Sequence, residues 1–136
     1  MKKRMARLVA LVAGAALAVV GVATAAHVEP LFVAGNPSCG DGLLIQPVAS
    51  GTYGDITITV NDTAQGPTFD FTSTSLVESI IVKGGPNANV YTYVAPGVSS
   101  DTGLHSPLNA KNGKFYGLSH LCVTDDKKSP PPTDPK

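Results

Sequence analysis

Apolar and polar residues alternate through the middle of the chain, which is the period-two pattern of half-buried β-strands. In residues 55–61 (DITITVN), two isoleucines and a valine share one face, and polar residues occupy the other. Residues 68–72 (TFDFT) alternate in the same way, and residues 90–94 (VYTYV) are β-branched and aromatic throughout. Residues 76–83 (LVESIIVK) are apolar on both faces, which predicts a more central strand.

Turn-forming residues separate these runs. They occur at residues 61–67, at the Gly84–Asn87 break and at Lys111–Lys114, where Asn-Gly favours a hairpin turn. Further strands are predicted at residues 30–34, 43–48 and 115–123. No window of ten or more residues after the N-terminal apolar run has a good helical period, and there is no Trp for an antibody-type core. The pattern predicts an all-β chain folded as an immunoglobulin-like antiparallel β-sandwich of about seven strands.

The N-terminus has the order of a signal peptide. Four cations precede an apolar stretch from Leu8 to Val22, which ends in Ala23-Thr24-Ala25, a small-x-small cleavage pattern. An uncleaved anchor is the alternative, but the run is shorter than the ~20 apolar residues of a spanning helix. We therefore predict cleavage between Ala25 and Ala26, giving a signal peptide at 1–25, a sandwich domain at 26–124 and a proline-rich disordered tail at 125–136.

Cleavage would also change the charge. The full chain has ten basic and ten acidic residues, and the leader holds four of the bases and none of the acids. The mature chain would carry a net charge near −4, which argues against nucleic acid or an anionic membrane as a partner. The expected protein is secreted or associated with the cell envelope, away from the membrane after cleavage, with an unidentified extracellular or envelope ligand.

The two cysteines, Cys39 and Cys122, lie near opposite ends of the predicted domain. Two free thiols are the alternative typical of a cytosolic chain, whereas in an exported chain two cysteines most often pair. Their spacing excludes a CxxC redox motif. We therefore predict one disulfide between them.

One group of motifs lies within residues 83–122. The motifs are Lys83-Gly84-Gly85, Asn89-Val90-Tyr91-Thr92-Tyr93, Asp101-Thr102-Gly103-Leu104-His105-Ser106-Pro107, Asn112-Gly113-Lys114, and Tyr116-Gly117-Leu118-Ser119-His120 before Cys122. Together they resemble a domain that recurs in exported bacterial, often actinobacterial, surface proteins. That family also tends to have a cysteine at the position of Cys39. The resemblance covers about two-thirds of the mature chain, and it implies an exported single domain with a disulfide and no established activity.

Four residues are candidates for a binding surface. Tyr91 and Tyr93 share one face of their strand. If that face is exposed, the two rings form a flat patch for contact with a sugar or a peptide; if it points inward, they belong to the core. His105 and His120 lie in motif-like segments, and with Asp101 nearby in sequence they suggest a metal site. Their spacing matches no ligand pattern, however, and histidines that make only structural hydrogen bonds are the alternative.

Catalytic patterns are weak. Ser119 and His120 are adjacent in a predicted strand, so their side chains are expected on opposite faces. Most aspartates follow turn residues, but none belongs to an EF-hand calcium-binding run. Lys83-Gly84-Gly85 lacks the residue order of a phosphate loop, so it is expected to form a bulge or tight corner.

The leading hypothesis is a structural or ligand-binding module with no enzyme activity, cofactor or metal. The alternative is an extracellular binding module that depends on Ca²⁺ or Zn²⁺, and the remote alternative is a small secreted hydrolase.

Overall fold

The computed structural model describes residues 27–126, which form an all-β fold. Within that range there is no helix, and therefore none that could cross a membrane. The strands are β1 (Leu31–Ala34), β2 (Leu43–Ile45), β3 (Gly51–Tyr53), β4 (Ile56–Thr63), β5 (Gly66–Gly84), β6 (Asn87–Thr92), β7 (Val98–Leu104), β8 (Leu108–Asn109), β9 (Lys114–Phe115) and β10 (His120–Asp125).

The 19-residue strand β5 organises the fold because it belongs to two antiparallel arms. Its first half pairs with β4 and β7, and β3 extends that arm beyond β4. Its second half lies between β6 and β10, with β1 and β2 as the outer strands, in the order β1-β6-β5-β10-β2. The prediction of an antiparallel β-sandwich is confirmed, with ten strands instead of about seven. An immunoglobulin-like relationship stays a prediction.

The expectation that residues 68–72 and 76–83 form two strands is wrong, because both belong to β5. The buried positions shift phase within it, from odd numbers up to Val77 to even numbers from Ile80 onwards. Both neighbouring ladders are irregular close to this point. At this shift in phase, the buried Ser75 hydroxyl donates a hydrogen bond to Asp125 Oδ2 at 2.7 Å. A polar side chain therefore has a hydrogen-bond partner where β5 passes from one arm to the other.

Apolar side chains from both arms meet in one core. The alternation predicted for residues 55–61 and 68–72 is confirmed, since Ile56, Ile58, Phe69 and Phe71 are at most 2% exposed. The other arm contributes its own inward face to this cluster: Ile45, Val77, Ile80, Val82, Tyr91, Tyr93, Leu121 and Val123. Val98 and Leu104 of β7 complete the cluster.

The predicted turns at Gly84–Asn87 and Lys111–Lys114 are present, but the connection predicted over residues 61–67 is shorter, because only residues 64–65 turn between β4 and β5. Gly84 pairs with Asn87 around the two-residue turn Gly85-Pro86, and Gly85 has φ 61°, so Lys83-Gly84-Gly85 forms a hairpin corner. The Asn-Gly segment joins β8 to β9, with Gly113 at φ 72°. Glycine tolerates this left-handed backbone, which explains why both positions carry it.

The predicted last strand, residues 115–123, is divided. β9 ends at Phe115 and β10 begins at His120, because the backbone between them makes other bonds. The Tyr116 amide donates to the Pro107 carbonyl at 3.1 Å, and the Ser119 amide donates to the Lys83 carbonyl at 2.8 Å.

The predicted tail at residues 125–136 overlaps the fold at its first two residues. Asp125 lies in β10 and is buried, and the Asp126 amide donates to the Leu76 carbonyl at 2.9 Å. Residues 127–136 lie outside the described part of the chain.

The disulfide prediction is confirmed. Cys39 and Cys122 are bonded with a Cα–Cα distance of 5.5 Å across a sequence separation of 83 residues. The disulfide ties the segment between β1 and β2 to β10, the last strand in the chain. Gly42 lies against this bridge, where a Cβ would stand 2.7 Å from Cys122 Sγ.

Candidate functional site

The two tyrosines proposed as a surface patch belong to the core. Tyr91 is 0% exposed and Tyr93 is 5% exposed, while their strand neighbours Thr92 and Val94 face solvent. The two rings do share one face of the strand, as predicted, and that face is the inner one. Their place in the possible binding surface is therefore corrected: neither ring is accessible to a sugar or peptide.

Asp101 is the centre of a polar network at the inner side of β7. Its side chain is 3% exposed and accepts bonds from the Tyr93 hydroxyl at 2.7 Å and from the Thr102 amide at 2.8 Å. His27 Nδ1 lies 2.9 Å from Oδ1 of the same carboxylate. Burial, reinforced by the Asp101 carboxylate, holds the pKa of Tyr93 far above its usual value. The network joins the N-terminal end of the described chain to the core.

His105 is held by its surroundings. Its ring stacks on Phe115 at a centroid distance of 3.8 Å, and Nδ1 lies 2.8 Å from the Ser106 carbonyl oxygen. Its carbonyl accepts a bond from Asn89 Nδ2 at 3.0 Å. The side chain also borders a cavity of about 330 Å³ whose other lining residues are Pro30, Phe32, Asn89, Pro107 and Leu108.

His120 lines a different cavity, on the outer face of the five-stranded arm. We call it the disulfide groove; its volume is about 450 Å³, and it is lined by Asn36, Pro37, Ser38, Cys39, Leu44, Gln46, Lys83, Ser119 and His120. His120 pairs with Lys83 across β10 and β5, so their side chains emerge on the same face. Cys122 lies two residues along on that face, paired with Leu44 of β2. The bridge from Cys122 to Cys39 holds the segment containing residues 36–39 over one side of the groove.

The groove differs in charge from the rest of the fold. Residues 27–126 contain three lysines, no arginine and nine acidic residues. The groove lining contains one of these lysines and a histidine, and none of its nine residues is acidic. Lys83 Nζ donates to the Gly85 carbonyl at 2.5 Å, which fixes the ammonium near the hairpin corner. Burial and the positive charge of Lys83 lower the pKa of His120.

The structure separates the two histidines that the sequence suggested as a pair, because each lines a different cavity. Within residues 27–126, no group of three or more His, Cys, Asp or Glu side chains could hold a metal ion. Ser119 precedes β10 and so lies outside the strand in which it was expected, and both it and His120 line the disulfide groove. The predicted cleavage site, Ala25 and Ala26, lies outside the described residues.

Sequence patterns missed most of the groove. In the sequence, Lys83 belongs to a predicted glycine corner and has no sign of a binding role, and residues 36–38 carry no motif. Cys39 does indicate where residues 36–38 lie, because its disulfide to Cys122 brings these neighbouring residues beside β10. Searches of family profiles, curated proteins and solved structures found no match to this chain.

Proposed function

We propose that this chain is an exported, non-catalytic β-sandwich module that binds a ligand of the cell exterior or envelope through the disulfide groove. Its N-terminus supports export, because basic residues are followed by an apolar run and then by small residues, as in a signal peptide. The Cys39–Cys122 disulfide supports an oxidising compartment, where such bonds form and persist.

The observation that carries the binding proposal is the composition of the groove. It presents the hydroxyls of Ser38 and Ser119 and the amides of Asn36 and Gln46 on a surface held in place by a disulfide. A few polar groups fixed on a rigid framework are what orient a bound ligand.

The other polar constellations support structural roles. The Asp101 carboxylate accepts hydrogen bonds from the Tyr93 hydroxyl and the Thr102 amide and also contacts His27. It therefore holds the N-terminal end of the fold. The ring of His105 is stacked on Phe115 and bonded at Nδ1. Groups used in this way stabilise the framework, which favours binding over catalysis as the function of the module.

Export is tested by fractionating the producing cells and measuring the intact mass of the recovered protein before and after reduction. We expect a species that begins at Ala26 in the medium or loosely held by the envelope, and it should gain the mass of two hydrogens on reduction. Recovery of the full-length chain from the membrane fraction would refute export with cleavage.

Binding through the groove is tested by co-sedimentation of the purified protein with isolated cell envelopes. Ser119→Trp fills the groove from an exposed position, and Ser99→Trp makes the same change at an exposed position of β7. We expect the unmodified protein and Ser99→Trp to sediment and Ser119→Trp to stay in solution. Equal sedimentation of the two variants would show that the groove is not the binding surface.

A further inference from the structure

Two basic side chains lie directly opposite each other in the disulfide groove. Lys83 of β5 and His120 of β10 form a cross-strand pair, and both are partly buried. Like charges at such positions destabilise a sheet. The groove contains no carboxylate to compensate them, although acidic residues outnumber lysines threefold in residues 27–126. In the free groove the neutral form of His120 avoids this repulsion, whereas an anion bound between the two groups would allow both to be charged.

We infer that the disulfide groove binds an acidic sugar, with its carboxylate between the Lys83 ammonium and the His120 imidazolium. This inference rests on the proposed function, because it names the ligand class of that binding surface. The Lys83 ammonium has three N–H groups, and one of them is used by the Gly85 carbonyl. The others are available to one carboxylate oxygen, while a ring N–H of protonated His120 donates to the second.

The remaining lining selects a sugar as the body of the ligand. Four side chains carry hydroxyl or amide groups, namely Asn36, Ser38, Gln46 and Ser119. These groups both donate and accept hydrogen bonds, as sugar hydroxyls do. Apolar contact is limited to residues such as Pro37 and Leu44 at the wall. A multiply charged polyanion fits poorly, because acidic residues outnumber lysines in residues 27–126 and the groove offers only two basic groups to neutralise it.

Binding should be coupled to protonation of His120. In the free groove, burial and Lys83 lower the pKa of this residue. A bound carboxylate favours the imidazolium and therefore raises that pKa. The facing side chains from β2 and from residues 36–39 carry no charge, so Lys83 is the charged group in the lining that opposes protonation. Affinity should consequently rise as the pH falls.

The test measures binding of glucuronate and of glucose to the oxidised protein by calorimetry. We expect glucuronate to bind at least about tenfold more tightly than glucose, and its affinity to fall several-fold between about pH 5.5 and about pH 8. Lys83→Met and His120→Gln should each remove most of the preference for glucuronate. Lys111→Met, which removes the same charge from an exposed turn, should leave it unchanged.

Three results would overturn the inference. Equal affinity for glucuronate and glucose would show that the groove does not select a carboxylate. An equal loss in Lys111→Met and Lys83→Met would show attraction by overall charge alone. Tighter binding of N-acetylalanine than of glucuronate would identify a peptide carboxylate as the ligand.

The envelope assay separates the inference from the function on which it rests. If Ser119→Trp still abolishes envelope binding while glucuronate has no advantage over glucose, the groove binds and the ligand class is wrong. If Ser119→Trp sediments normally and glucuronate is not bound, both proposals fail.

Discussion

Replacing Gly84 by alanine tests the packing at the hairpin corner of β5. Gly84 does not have a left-handed backbone, so in the folded state a methyl group there acts through its steric contacts and not through backbone strain. Its Cβ would stand 2.4 Å from Ser106 Cβ, 2.7 Å from Ser106 Oγ and 2.8 Å from the Gly117 carbonyl oxygen. Ordinary carbon contacts lie near 3.5–4.0 Å, so the segment containing residues 106 and 117 must move away.

The expected loss of stability has two parts. Overpacking a well-packed site costs about 1–3 kcal/mol. Moving Ser106 also weakens the bond that its hydroxyl donates to the Tyr116 carbonyl at 2.6 Å, which contributes about 1 kcal/mol. Alanine restricts the unfolded chain and returns about 0.4–1 kcal/mol. The variant should therefore lose about 1–3 kcal/mol of unfolding free energy.

Gly117→Ala is the matched control, because a Cβ there meets no heavy atom within 4 Å. It makes the same change in the unfolded chain without the clash, so its stability should be equal to or slightly above that of the unmodified protein. Urea denaturation of the disulfide-bonded proteins gives both free energies. A difference of less than about 0.5 kcal/mol between the two variants would refute the packing argument.

Three further predictions concern the bridge and the buried tyrosines. Replacing Cys39 and Cys122 together by alanine should cost about 4 kcal/mol in urea denaturation, because an 83-residue separation closes a long loop, and a loss below about 1 kcal/mol contradicts this. Tyr93→Phe removes the donor to buried Asp101 and should cost about 2 kcal/mol, whereas Tyr53→Phe, which removes a hydroxyl bonded to an exposed carbonyl, should cost about 0.5 kcal/mol. Burial raises the pKa of Tyr91 to about 12, so the stability that its neutral form provides is complete below about pH 10 and falls between about pH 10 and about pH 12. Tyrosinate absorbance and circular dichroism followed together should show the buried rings ionising as the fold is lost, and full ionisation of all four tyrosines in a folded protein would be the contrary result.

Local patterns in the sequence determined the strands and the turns. Strict alternation in residues 55–61 and 68–72 identified the inward side chains of β4 and of the first half of β5, because a strand places successive side chains on opposite faces. Asn-Gly and Gly-Gly-Pro identified hairpin corners for the equally local reason that few residues tolerate a left-handed backbone. The disulfide followed from the compartment that the leader predicts and from the number of cysteines.

Long-range pairing was decided by the tertiary structure alone. A period of two shows that Tyr91 and Tyr93 share a face, but which face is covered depends on the arm that packs over it. Residues 68–72 and 76–83 looked like separate strands because Ser73-Thr74-Ser75 interrupts the apolar pattern, and the Ser75–Asp125 bond satisfies that interruption inside one strand.

The groove depends on the same long-range order. Lys83 and His120 are 37 residues apart in the chain, and the register of β5 against β10 makes them direct neighbours. That register is fixed by the burial of Val82 against Leu121 and of Ile80 against Val123, because a slip by one residue would turn every inward side chain toward solvent. Alternation and turns can therefore be read from short stretches of sequence, whereas the faces that pack together depend on strand pairing, because pairing is settled by the burial of the whole core.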